Sequence, residues 1–482
     1  MAATDARPSA PVKVVYGLGA LGEAAFTTAM GFVFFYYTAA LGFSGGMVGA
    51  ALFLGLCADA IVDPFFGSWS DNIRSRFGRR IPLMLAGGPL LALSVGMLFA
   101  PPQGLLNQEL AEPVVFLWLA FWAVAVRTFF SMFHVPYVAL GAEMSGDYHE
   151  RNSIVAWRTL FLILAGFLVN GLAYSVFFAG EGGLQQAGRY PAFGWAVAAL
   201  VLFGAGLCAV GSAPYAARLP GVPPVDEHLL RRLPSEIVEI FRNRSFRVLF
   251  ASAVLSYVGV GVNASFNSHA YVFVWQLRPE LIQVVVFAFL GGLLVGVPLT
   301  PLVSRVVEKR TTVLIGMGLV VAAWMTIAFS RLAGAFMATG ADAVLPLAVL
   351  IGVAGVGAGF CAIAYPSMMA DAADEHEHVF GRRREGLYFA GLGFAFKAGQ
   401  GAGMLVSGMA LDLIGFPKDV GRQVGVVLPE PLLDRIVLAW GPGAAIFTIG
   451  SMIALAAYGI TRRRHAEVAA ALALRRETAP AE

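Results

Sequence analysis

Residues 44–80 read SGGMVGAALFLGLCADAIVDPFFGSWSDNIRSRFGRR. Small and apolar side chains run from Gly45 to Trp69, broken by charge only at Asp59 and Asp63. A helix needs about 20 such residues to cross a hydrocarbon core. Arg74, Arg76, Arg79 and Arg80 follow at once. A span that ends in a basic loop is the signature of a segment held on the cytoplasmic side by its charge.

The same pattern recurs along the 482 residues. Apolar runs predict twelve spans: 13–41, 44–69, 80–100, 113–140, 153–180, 190–212, 246–275, 281–304, 311–330, 343–370, 385–414 and 432–461. Composition agrees. The chain is 58% hydrophobic and 13% charged, with a mean hydropathy of +0.74. Soluble domains are about one quarter charged, so this chain has too little polar surface to cover a water-soluble globule. Its 56 glycines suit close helix packing in lipid, and its 37 phenylalanines suit lipid contact.

Charge placement sets the orientation. Of the 33 Lys and Arg residues, 24 fall on the side shared by both termini. Six fall on the other side (Arg189, Arg278, Arg331, Lys418, Arg422 and Arg435), and Arg127, Arg158 and Lys397 lie inside spans. Both termini are therefore expected in the cytoplasm, as in a bacterial inner-membrane protein. The opening MAATDARPSAPVK has no short apolar core with a small-residue cleavage site, so no cleaved signal is expected and the first span directs insertion.

Two six-helix halves are expected, residues 1–212 and 246–461. They are joined by a cytoplasmic linker, 213–245, carrying Pro220, Pro223, Pro224 and a helical-looking RLPSEIVEIFRNRSFR. A cytoplasmic tail, 462–482, follows. Its TRRRHAEVAAALALRRE reads as a basic amphipathic helix, able to rest on anionic headgroups or simply to be solvated. Internal similarity supports the halves: Pro64 and Pro298 precede basic loops 234 residues apart, and Pro136 and Pro366 precede acidic then basic stretches 230 residues apart. Paired repeats with a site at their interface are a recurring transporter plan.

Six formal charges sit within spans: Glu23, Asp59, Asp63, Arg127, Arg158 and Lys397. Each costs roughly 2.5–3.5 kcal/mol at the bilayer centre, and the total rivals a stability of about 5–15 kcal/mol. They must face one another or water. Asp59 and Asp63 are four residues apart, on one helix face. Close carboxylates repel, so the pair holds a proton or a cation. Pro64 also frees the carbonyl of Ala60 from its usual amide partner. The alternative is a structural pair bonded to Arg or Lys.

Arg127, Ser131 and His134 form a second stripe, on span four. Ser131 adds a neutral oxygen, and His134 can titrate near neutral pH. The candidate cation site is thus Asp59, Asp63, Ser131 and His134, with Asp59 and Asp63 the ligands of any Na+. Arg127, Arg158, Lys397 and Glu23 are candidate solute contacts or counter-ions, and Asn263, Asn267 and His269 of span seven are polar enough to line the opposite wall, with Asn263 and Asn267 further candidate solute contacts.

Cys57, Cys208 and Cys361 are scattered in apolar stretches, without CxxC or His/Cys spacing. They read as packing residues. No HExxH or GxxxxGK[ST] motif occurs, so neither an enzyme nor ATP drive is expected. A channel or receptor would fit the two-half organisation less well.

At these residues the chain resembles the glycoside–pentoside–hexuronide:cation symporters of the major facilitator superfamily. The similar segments are DAIVDPFFGSWSDNIRSRFGRRIP, the VPY at 135–137, ERNSIVAWR at 150–158 and REGLYFAGLGFAFK at 384–397. The resemblance covers essentially the whole chain and implies the major facilitator fold: an all-α membrane protein of twelve transmembrane helices in two six-helix halves. It implies symport of a glycoside or other sugar derivative with Na+ or H+, and no other cofactor. The partners expected are a small-molecule solute and the bilayer, with no nucleic acid and a monomeric state. In the melibiose permease branch, cation-binding aspartates match Asp59 and Asp63, and a helping hydroxyl matches Ser131. A sugar-contacting arginine matches Arg158, and a span-eleven lysine matches Lys397. Departures are that branch's third cation carboxylate, here His134; its sugar-binding aspartate, here Ala24, with Glu23 for the adjacent lysine; and its sugar-stacking tryptophan, here Val138. The FHVPY at 133–137 is also similar to the sodium-dependent lysophospholipid symporters, which implies an anionic amphiphile as the alternative substrate.

Overall fold

Hydrocarbon offers no hydrogen-bond partner, so a backbone crossing it must bond to itself. The computed structural model meets this demand with helices throughout. It describes residues 8–102, 104, 112–145, 147–219, 229–382, 384–418, 420–422 and 426–478, and among these no strand occurs. Pro220, Pro223 and Pro224 of the expected linker lie outside the described residues.

In chain order the helices are α1 (Ala10–Ala40), α2 (Gly45–Asn72), α3 (Ile81–Phe99), α4 (Glu112–Glu143), α5 (Glu150–Phe177) and α6 (Ala187–Ala216). A short α7 (Leu229–Ile240) follows. Then come α8 (Arg244–Val274), α9 (Pro279–Val306), α10 (Lys309–Leu332) and α11 (Ala341–Phe380). The last are α12 (Glu385–Leu413), α13 (Glu430–Leu455) and α14 (Arg462–Thr478). Eleven of the described helices are long and apolar enough to cross a membrane. The remaining long one, α12, has 29 residues, and Lys397 and Gln400 among its glycines dilute its apolar character. Side chains such as Ile61, Leu117 and Leu345 are exposed on the outside of the helices, as a lipid-facing surface requires.

Two compact units divide the chain. The first is Met1–Asp226 with Arg278–Gln283 and Gly408–Val427, and the second is Glu227–Leu277, Val284–Ser407 and Leu428–Glu482. In the first, Tyr16, Ile81, Met84, Phe133, Tyr137, Leu140 and Cys208 form a buried cluster. In the second, Phe246, Leu249, Val313, Met317, Tyr365, Met368 and Tyr388 do so, with Cys361 packed against them. The cysteines are free, and Cys208 is a packing residue.

The internal repeat is visible in local geometry. α1 closes in a π-turn, Tyr36–Ala40, and α8 closes in one, Ala270–Val274. The backbone bonds Leu41 N to Tyr36 O (2.9 Å) and Trp275 N to Ala270 O (3.1 Å) are counterparts. α2 and α9 each have 28 residues and start 234 positions apart, at Gly45 and Pro279, with Pro64 and Pro298 in register. Pro136 and Pro366 lie inside α4 and α11.

Two helices differ from expectation. α11 does not stop near residue 370 but runs 40 residues to Phe380, where Gly381 (φ +73°) ends it in a left-handed cap. α14 buries Val468 and Leu472 in the protein. Its apolar side is thereby covered by protein, where the sequence leaves headgroup contact and ordinary solvation both open.

Candidate functional site

The buried charges of the first unit separate into two clusters. The first joins α2 and α4. Asp59, 1% exposed, accepts a hydrogen bond from the Ser131 hydroxyl on Oδ1 at 2.6 Å. Arg127 Nη1 lies 3.9 Å from the other carboxylate oxygen, Oδ2. The Arg127 guanidinium also lies over the Phe26 ring, 5.4 Å from its centroid, a favourable cation–π position. Helical periodicity places Arg127 and Ser131 one turn apart, so α4 presents a cation and a hydroxyl donor to one carboxylate. Asp63 follows on the same helix and acts electrostatically on Arg127.

The second cluster joins α1, α4 and α5. Arg158 Nη2 donates to both oxygens of Glu23, at 3.1 and 2.9 Å. His134 Nε2 lies 3.4 Å from Glu23 Oε1 and 3.3 Å from the same Arg158 nitrogen. The guanidinium sits over the Tyr137 ring at 5.4 Å. Its Nε is buried with no partner among the described residues.

An aromatic ladder spans the two clusters. Phe26 stacks on Phe130 at 4.3 Å, and Phe130 stacks on the His134 ring at 4.8 Å. Arg127, Phe26, Phe130 and His134 therefore form one continuous column. Sequence reading overlooked both phenylalanines. The signal was present: Phe26 is three residues after Glu23, and Phe130 is four before His134. Of the expected cation set, Ser131 is brought to Asp59, whereas His134 is brought to Glu23 and Arg158.

The second unit holds the other candidates. Asn263 donates to the Trp440 carbonyl at 3.1 Å, and Asn267 accepts from the Trp440 indole at 2.7 Å. Trp440 meets Trp275 edge-on, with centroids 5.3 Å apart. Both asparagines thus hold α8 to the π-turn within α13. His269 is fully buried, with Nδ1 3.3 Å from the Ser265 carbonyl. Lys397 is half-buried midway along α12. Among the described residues no group of three or more His, Cys, Asp or Glu side chains is arranged to hold a metal ion.

Comparison with known proteins follows this geometry. A family model described as MFS/sugar transport protein matches residues 15–462. An uncharacterized symporter, sll1374, of Synechocystis is 24% identical, with 96% of this chain and 97% of the relative covered. The glucuronide carrier protein homolog of Escherichia coli is 24% identical over 94% of this chain and 93% of its own. Among solved structures, a bacterial homologue of the iron transporter ferroportin in an inward-facing state is similar, with a TM-score of 0.62 at 14% identity, covering 92% of this chain and 98% of that one. At that identity the likeness speaks to the fold alone.

Proposed function

The chain belongs to the MFS/sugar transport protein family, within the glycoside–pentoside–hexuronide:cation symporters of the major facilitator superfamily, and from that premise we propose that it couples a cation to uptake of a sugar-like solute by alternating access. It is an integral membrane transporter and not an enzyme. The reading places it in a bacterial inner membrane with both termini in the cytoplasm. One observation carries it. Asp59 is a carboxylate enclosed within an apolar span and held by a hydroxyl and a guanidinium. Nothing in packing alone repays that desolvation.

The Asp59–Asp63 pair is the coupling site in this reading. Cation or proton occupancy there changes the charge of α2 against α4. The Glu23–His134–Arg158 cluster is the solute-facing group of the first unit, and Lys397 is the candidate solute contact or counter-ion of the second. Arg158 has one nitrogen shared among three contacts and a buried Nε without partner. That is a donor able to serve a hydroxyl or carboxylate. A relative named for a glucuronide favours a solute with a carboxylate, a glycoside acid above a neutral sugar.

The test is uptake in proteoliposomes across a panel of neutral glycosides, hexuronides and lysophospholipids, with sodium and pH gradients imposed separately. Accumulation of a sugar derivative under one gradient, lost in Asp59→Asn, is expected. Lipid uptake without sugar uptake, or accumulation indifferent to both gradients, overturns the reading.

A further inference from the structure

Glu23 and Arg158 form a charge pair in the first unit, with side chains 15% and 23% exposed. The pair is poorly matched. A guanidinium presents its N–H groups in a flat fork, and a carboxylate bonds it best through two of its nitrogens. Here a single nitrogen, Nη2, donates to both oxygens of Glu23 and also lies 3.3 Å from His134 Nε2. Arg158 Nε is buried with no partner among the described residues, and a buried donor left unpaired is costly.

The seam between α1 and α5 is also tied on either side of this pair. Toward one end, Lys13 lies 2.5 Å from Glu150 and donates to Ser153 at 3.2 Å. Toward the other, Asn170 donates to Thr28 at 3.4 Å. The Glu23 carboxylate can therefore leave Arg158 without parting the two helices. His134 Nε2, 3.4 Å from Glu23 Oε1, is placed to hold it when it does.

We infer that Glu23 is an internal stand-in for the solute: it neutralises Arg158 when no solute is bound, and a solute carboxylate takes its place. Glu23 is thereby the residue that selects an acidic glycoside over a neutral one. This role rests on the Glu23–His134–Arg158 cluster being the solute-facing group, and it deepens that reading by naming what sets its selectivity for charge.

Displacement exchanges one carboxylate for another at Arg158. A guanidinium drawn out of water needs a counter-charge at every stage. A solute carboxylate bonded through Nη2 and Nε supplies that charge in the two-nitrogen geometry, and it satisfies the donor that Glu23 leaves unpaired. The better-matched pair is the one made with solute. A neutral glycoside offers hydroxyls alone. These do not neutralise Arg158, so Glu23 stays and the neutral solute meets a nitrogen already occupied.

Binding is measured by isothermal titration calorimetry of the purified protein in detergent, at fixed pH and sodium chloride, with methyl β-D-glucuronide and methyl β-D-glucoside as probes. Wild type is expected to bind the glucuronide about tenfold or more tighter than the glucoside. Glu23→Gln keeps the shape and removes the competing charge. It is expected to bind the glucuronide about tenfold tighter than wild type does, with the glucoside changed by no more than about twofold. General damage to the site would lower affinity, so a gain reports loss of the competitor. The gain is expected to be absent in Glu23→Gln/Arg158→Gln, because it passes through the guanidinium.

A Glu23→Gln protein that binds the glucuronide no tighter than wild type overturns the inference. So does wild type that fails to bind the glucuronide or binds the glucoside equally well, and neither of these results needs a variant to fold. Arg158→Gln separates this failure from that of the reading beneath it. If Arg158→Gln binds the glucuronide as tightly as wild type, the cluster does not face solute. If it loses the glucuronide while Glu23→Gln gains nothing, only the role of Glu23 is rejected.

Discussion

The imidazole of His134 lies 3.4 Å from the Glu23 carboxylate, although it shares a helix face with Ser131, whose hydroxyl is bonded to Asp59. One stripe of α4 therefore serves two acids on two different helices, and the pair Glu23–Arg158 is joined by this ring to the same helix that holds the aspartate. This sorting of partners yields separable consequences for substitutions in the two clusters.

Glu23→Gln leaves the Arg158 guanidinium partly buried without its counter-charge. Removing one member of a fully buried pair costs about 3–5 kcal/mol. With side chains 15% and 23% exposed, about 2 kcal/mol is expected here, read as a fall in Tm of several degrees in detergent. The exchange Glu23→Arg with Arg158→Glu should recover part of it. Equal losses in the single and double variants would show that the bond is not what holds α1 to α5.

Ser131→Ala removes the hydroxyl that donates to Asp59 at 2.6 Å. Hydrogen bonds to charged groups are worth about 1.5–3 kcal/mol. Loss of this bond should weaken the tie between α2 and α4, so Ser131→Ala is expected to lower the Tm in detergent by several degrees and to slow gradient-driven uptake. Thermal unfolding and proteoliposome uptake check this; an unchanged Tm with unchanged uptake would exclude a role for the bond.

Gly316 and Gly357 bring α10 and α11 together. A Cβ on Gly357 would lie 2.3 Å from the Gly316 carbonyl oxygen, closer than any real contact. Backbone sets that oxygen, so α10 must move. Gly357→Ala should destabilise by about 1–3 kcal/mol, seen as lower Tm and lower yield of folded protein. Gly318→Ala, with nothing within 4 Å of the added carbon, should be nearly neutral.

Asp371 anchors the tail helix to the second unit. It is 8% exposed, takes two bonds from Lys309 at 2.8 and 2.7 Å, and lies 3.4 Å from His465 of α14. Asp371→Asn should loosen α14 and speed trypsin cleavage at Arg462–Arg464 several-fold, while cleavage elsewhere is unchanged. Proteolysis followed by mass spectrometry reads both rates.

What the sequence determined by itself was the number of helices, the basic-loop pattern and the identity of the charges that must be compensated. The physical reason is that lipid imposes its rule on each segment separately: about 20 apolar residues, all backbone groups bonded internally, and no charge without a partner. Asp59, Asp63 and Arg127 stand out against such a background without any knowledge of neighbours. The π-turn closing α1 and α8, the full length of α11 and the burial of α14 against protein were not legible, since each depends on what packs alongside. Above all, only tertiary structure decided which acid meets which base. Residues 127, 131 and 134 lie on one face by periodicity, yet the rise along α4 and the positions of α1 and α2 direct Ser131 and Arg127 to Asp59 and His134 to Glu23. Side chains at the same angle but different heights meet different helices, and a sequence carries the angle without the neighbour.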